Sequence, residues 1–104
     1  MIPLEEFKKM LGKSGFPVAY HSFPEGEAPA MPYIIYMTPY SNNFKADGKV
    51  YSSSRHIQVE LYTQHKDMDA EERVEKALET FYYKKSETGL DSESCYEVIY
   101  ELEA

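Results

Sequence analysis

Apolar residues first gather at helical spacing. Leu4, Phe7 and Leu11, with Met10 beside them, fall on one face of a helix predicted from Pro3 to about Leu11. Pro3 suits the first turn, where its missing N–H is not needed. Glu5 and Glu6 stand early and Lys8 and Lys9 late, which complements the helix dipole. Gly12 and Gly15 then supply stop signals. The pattern changes to alternation at FPVAYHSF, residues 16–23, a short strand with Pro17 placing its start near a sheet edge. PEGEAPAMP, residues 24–32, reads as a stiff loop.

YIIYM, residues 33–37, is apolar on both faces, as expected of a strand covered on two sides by helices or by another subunit. Pro39 is expected to end it, and SNNFKADG to form a polar connection with a turn signal at Asp47-Gly48. A further strand starts near Lys49 and resumes as HIQVELYT, residues 56–63, with SSSR at 52–55 as a bulge or a break. In HIQVELYT, Ile57, Val59 and Leu61 alternate with Gln58, Glu60 and Tyr62, giving one buried and one wetter face.

The second helix carries the apolar stripe Ala70, Val74, Ala77, Leu78 and Phe81. Asp67 or Asp69 can cap it, and Glu72 follows Asp69 at capping-box spacing. Glu71, Glu72, Glu75, Lys76 and Glu79 fill the remaining faces. Tyr82-Tyr83 opens a short strand, KKSETGLDSES is a polar connection, and the last strand runs from about Cys95 to Leu102. On it Tyr96, Val98, Tyr100 and Leu102 share one face. The order is therefore α-β-β-β-α-β-β: an α+β fold in a single compact domain spanning 1–104, with a mainly antiparallel sheet packed against two helices.

A length of 104 residues favours one domain with one core, and 42% hydrophobic against 28% charged residues excludes general disorder. No apolar run is long enough to span a bilayer, so no membrane is expected as a partner. MIPLEEFKKML carries charges throughout, unlike a secretory signal. The net charge of −7 argues against general nucleic-acid affinity, since phosphate is bound through Lys and Arg. The single cysteine, Cys95, forms no internal disulfide and is compatible with a reducing interior.

No constellation points to catalysis, a cofactor or a metal. His21, His56 and His65 lack metal-ligand spacing, and Cys95 sits in a strand without the sharp turn of a nucleophile. Serines of SSSR and SNN near Arg55 and Lys45 invite an anion, but no glycine-rich loop enters a helix there. The carboxylates of the second helix and the C-terminal strand recur at structural period, as on a solvated face. The ten tyrosines are different, because Tyr, Met and Phe are enriched at protein interfaces. Tyr33, Tyr36, Tyr40, Tyr51 and Tyr62, with Met31 and Phe44, are the candidate interface residues.

The stretches FPVAYHSFPEGEAPAMPYIIY, SNNFKADGKVY, VELYTQHKD and SESCYEVIYELE resemble small head–tail joining and tail-completion proteins of tailed bacteriophages, in their prophage versions from Gram-positive bacteria. The resemblance implies a compact α+β protein of tail-terminator type that caps the tail tube and helps join it to the head. It also implies assembly with itself as a hexameric ring and contact with tail-tube and head–tail connector proteins. No enzymatic activity and no cofactor follow from it. It implies a place in the host cytoplasm during assembly and then at the virion tail or head–tail junction. The alternative expectation is a small cellular binding module, dimeric, that recognises a ligand or peptide on a tyrosine-rich sheet face.

Overall fold

A computed structural model describes the backbone of residues 2–46, 49–90 and 95–104, and the side chains of residues 2–39, 55–89 and 95–104. The elements are α1 (Leu4–Gly12), β1 (Val18–Tyr20), β2 (Tyr33–Ala46), β3 (Lys49–Thr63), α2 (Met68–Ala77), β4 (Tyr83–Leu90) and β5 (Cys95–Glu103). The fold is α+β, with one five-stranded sheet in the order β1-β2-β3-β5-β4. Neighbours are antiparallel except β1 and β2, which are parallel.

Local chemistry explains both helix starts. Pro3 is extended and precedes the first helical residue, and its carbonyl accepts from Phe7 N–H at 3.1 Å. Gly12 is the last residue of α1, and Gly15 takes φ +87°, which a side chain would resist. Asp67 is the cap of α2, its Oδ1 accepting from Ala70 N–H at 3.0 Å. With Asp67 in that role Glu72 lies beyond the third helical position, so the expected capping box is not formed.

Both helices lie on one face of the sheet. Phe7 and Leu11 of α1 and Ala70 and Val74 of α2, with Leu78 just beyond it, pack on Ile34, Tyr36, Ile57, Val59, Leu61, Val98, Tyr100 and Leu102. The alternation of HIQVELYT and of the last strand supplies this layer, as expected from period-two burial. Aromatic edges lock it: Phe7 meets Phe81 at 5.8 Å and Tyr36 at 6.0 Å between ring centroids.

Several expectations are corrected. The strand expected over 16–23 is only Val18–Tyr20, because His21 takes φ +69° and turns the chain away. β1 is nonetheless an edge strand, as Pro17 suggested, and residues 21–32 make the return that a parallel pair requires. Pro39 does not end β2. The register moves from Met37↔Gln58 to Tyr40↔His56, so Thr38 and Pro39 together oppose Ile57, and this bulge absorbs the missing N–H. Residues 41–46 of the expected polar connection are strand, and SSSR pairs continuously within β3. The bulge on β3 falls at Tyr51, between Phe44↔Ser52 and Lys45↔Val50. Asp47 and Gly48, the expected turn, lie outside the described residues. Most of the expected connection after Tyr83 is strand β4, an edge whose lysines and glutamates hid its period.

β2 and β3 outrun the sheet. β5 accompanies β3 only from His56 to Thr63, and Arg55 exchanges backbone hydrogen bonds with Ala104 at 3.0 Å. Beyond that point the paired backbones of 41–46 and 49–54 form a two-stranded ribbon, roughly 20 Å long at about 3.4 Å per residue. The principal extents of 51 × 28 × 26 Å and a radius of gyration of 15.0 Å reflect this elongation. A compact domain of this size has a radius nearer ~13 Å.

At the base of the ribbon Arg55 presents an oddity: its Nε and Nη2 are buried without a hydrogen-bond partner. Leaving such a fork unpaired costs stability. Arg55→Met should therefore leave the isolated chain as stable or about 1 kcal/mol more stable in urea denaturation, whereas a loss of that size would contradict the assignment. Leu78, fully buried beyond the end of α2, gives the opposite expectation. Leu78→Ala should cost about 2–5 kcal/mol in the same measurement.

Candidate functional site

The face of the sheet opposite the helices carries the surface best suited to contact. Register places Tyr33, Ile35 and Met37 of β2, Gln58, Glu60 and Tyr62 of β3, and Glu97, Ile99 and Glu101 of β5 side by side there. YIIYM was expected to be covered twice. The helices cover Ile34 and Tyr36, while Tyr33, Ile35 and Met37 are half-buried on the open face.

The open face is organised by one carboxylate. Glu60 is 8% exposed and sits between Ile35 on one neighbouring strand and Ile99 on the other. Gln58 Nε2 donates to its Oε2 at 2.7 Å, and the Tyr62 hydroxyl donates to its Oε1 at 2.8 Å. Burial first, then hydrogen bonding to Glu97 and Glu60, pushes the Tyr62 phenol well above its ordinary range. Tyr62 thus remains a neutral donor to Glu60. Its ring stacks on Tyr33 at 5.3 Å, and Phe23 from the Pro-rich loop meets Tyr33 edge-on at 5.2 Å. Farther along the face, His56 Nε2 lies 3.2 Å from Glu101 Oε1 and its Nδ1 lies 3.2 Å from Glu103 Oε1.

The candidate interface residues separate. Tyr33 and Tyr62 come together on the open face. Met31 is half-buried in the loop that leads into β2. Tyr36 is placed in the core under the helices, 4% exposed, between Phe7 and Tyr20. The side chains of Tyr40, Phe44 and Tyr51 lie outside the described residues, although their backbones belong to the ribbon. Sequence reasoning overlooked Ile35, Met37 and Ile99 as surface candidates, and Tyr82, which is 99% exposed. The signal for the first two was present in YIIYM, an apolar run on a sheet with too few helices to cover both its faces.

The helix side corrects the reading of the acidic residues. Glu71 of α2 is 3% exposed rather than on a solvated face. Lys66 Nζ lies 2.8 Å from its carboxylate oxygens, and Lys85 Nζ from β4 lies at 2.7 Å. Lys85 also reaches Glu75 Oε2 at 2.8 Å, where the hydroxyl of fully buried Tyr100 donates at 2.8 Å. Lys66 pairs in addition with Glu87, which accepts from the Tyr96 hydroxyl at 2.9 Å. The network fastens α2 to the β4–β5 edge and explains why the helix-facing positions of β4 are charged.

Among the described residues no group of three or more His, Cys, Asp or Glu is placed to hold a metal ion. Cys95 is half-buried at the start of β5. Among those residues no helix is long and apolar enough to cross a membrane. The hollows among the described residues include two with polar linings. One, on the sheet edge, is lined by His56, Tyr82, Lys84 and Glu101. The other, between the helices, is lined by Met10, Lys13, Ser14, Arg73 and Lys76. A scan against protein-family models found no match for the chain, and a search of curated proteins found none either.

The lysine–glutamate network sets a pH window. Hydrogen bonds to Glu71 and Glu87 raise Lys66 above its ordinary 10.5. Burial alone would lower Lys85, but its bonds to Glu71 and Glu75 outweigh that and raise it. The stability these lysines contribute is complete below their unfolded value and is lost as pH rises through the higher folded value. Glu87, bonded by Lys66 and Tyr96, is held below its ordinary 4.5, so its contribution is complete above that value and is lost as pH falls through the lower folded one. Urea denaturation across pH should therefore show a plateau between these limits. Glu71→Gln should lower the plateau by about 1–3 kcal/mol, less than for a fully buried pair because both lysines reach solvent. It should also flatten the alkaline limb.

Proposed function

We propose that this chain is a non-enzymatic structural protein of a prophage, of the tail-completion or head–tail joining kind, working through protein–protein contacts. The observation that carries the reading is the two-stranded ribbon of β2 and β3, which extends past every other strand of the sheet among the described residues. Among the described residues its backbone pairs only with itself beyond Arg55, so it offers strand edges to neighbours. Assembly proteins use such arms because a strand edge binds another chain through main-chain hydrogen bonds. The half-buried apolar residues of the open face supply a second contact surface.

In this reading the partners are further copies of the chain in a hexameric ring, the tail tube and the head–tail connector proteins. The protein acts in the host cytoplasm during assembly and then at the tail or head–tail junction. A net charge of −7 suits a ring through which DNA passes without being gripped.

One observation favours a second reading. The Phe23, Tyr33 and Tyr62 rings form a continuous aromatic row beside Glu60, as a cellular binding module for a ligand or peptide would offer. Deletion of the gene in an inducible prophage separates the two. Unjoined heads and tails of irregular length in electron micrographs are the expected result. Normal tailed particles from the deletion strain would reject the assembly reading in favour of the binding module.

A further inference from the structure

One hollow on the helix side carries charge opposite to that of the open face. Glu60, Glu97, Glu101 and Glu103 stand on the open face against Lys84. The hollow between α1 and α2 on the other side is lined by Lys13, Arg73 and Lys76 against Glu79. A basic hollow on a chain of net charge −7 is a local reversal. Every ion pair among the described residues uses His56, Lys66 or Lys85, so Lys13, Arg73 and Lys76 are free to meet a partner's carboxylates. The Arg73 guanidinium rests over the Phe16 ring at 5.3 Å, which holds it at the rim. Apolar residues accompany both charges, with Ile35, Met37 and Ile99 half-buried on one side and Met10 and Ala77 half-buried on the other.

We propose that the acidic open sheet face of one copy docks head to tail on the basic hollow between α1 and α2 of the next. The inference rests on the assembly reading above and gives it a residue-level contact. Because the two surfaces lie on opposite sides of the sheet, the contact is heterologous. One copy uses its sheet face and the next its helices, and repetition closes a ring or extends a filament. Charge complementarity sets register and orientation, and the half-buried apolar residues supply the area that is removed from water.

Paired charge reversals test this. Arg73→Glu with Lys76→Glu makes the hollow acidic, and Glu97→Lys with Glu101→Lys makes the open face basic. Each variant chain, checked for folding by circular dichroism, then carries like charge on both surfaces. Sedimentation at low salt should show concentration-dependent association of the natural chain and roughly tenfold or greater weakening for each variant alone. An equimolar mixture of the two variants restores opposite charge at every contact and should recover association. Association of either variant alone at the natural strength overturns the proposal, as does a folded mixture that fails to associate. A natural chain that stays monomeric at millimolar concentration also overturns it. A defect in joining heads to tails on gene deletion would still uphold the assembly reading in that event, so the two can fail separately.

Discussion

Both helices pack on one side of the sheet, and that asymmetry governs the rest of the molecule. Ten residues of α2 and nine of α1 cover only the face that bears Ile34, Ile57, Val59, Leu61, Val98 and Tyr100. Among the described residues no helix covers the opposite face, which must meet its own requirements. It does so by setting Glu60 among Gln58, Tyr62 and two flanking isoleucines, which satisfies a nearly buried carboxylate without a counter-charge. The result is a hydrogen-bonded carboxylate on a strand that also supplies Ile57, Val59 and Leu61 to the core. Strand β3 therefore serves two faces at once, with alternate residues in the helix-covered core and on the open face.

The short helices need more than apolar contact to stay in place. Glu71 and Glu75 project from α2 toward the β4–β5 edge, where Lys85 and Tyr100 meet them and Lys66 closes the arrangement from the loop before the helix. Buried charge is tolerated there because each carboxylate has donors within hydrogen-bond distance and each lysine keeps access to water. The same bonds hold edge strand β4 against β5. At the other end of the sheet β2 and β3 leave it as a paired ribbon after the bulge at Thr38 and Pro39. The molecule thus has one end fastened by ion pairs and one end where two strands project beyond the rest of the sheet.

Much of the fold was legible in residue spacing. The two amphipathic helices, the alternation of Ile57, Val59 and Leu61, and that of Tyr96, Val98, Tyr100 and Leu102 follow the expected period because each buries one face, although α2 ends at Ala77 and leaves Phe81 of the expected stripe beyond it. Two of the errors share one cause. KKSETGL and SNNFKA read as connections because strand period shows in sequence only where alternate residues enter an apolar core. In β4 the inward positions Lys85 and Glu87 are satisfied by ion pairs, so the alternation is one of charge partners, which hydropathy does not record. Pro39 looked like a terminator because its tolerance depends on a bulge defined by the neighbouring strand.

For the candidate surface the division is similar. The sequence by itself determined that this is an α+β chain with two helices, a largely antiparallel sheet and an excess of tyrosine, since these depend on local period and composition. Only the tertiary structure decided that Tyr33 and Tyr62 stack in the open while Tyr36 is enclosed with Phe7, and that Glu71 is buried while Glu72 is exposed. The physical reason is that exposure of a sheet residue depends on which face the helices occupy. That choice is made by the joint packing of elements far apart in the chain, and no single segment encodes it.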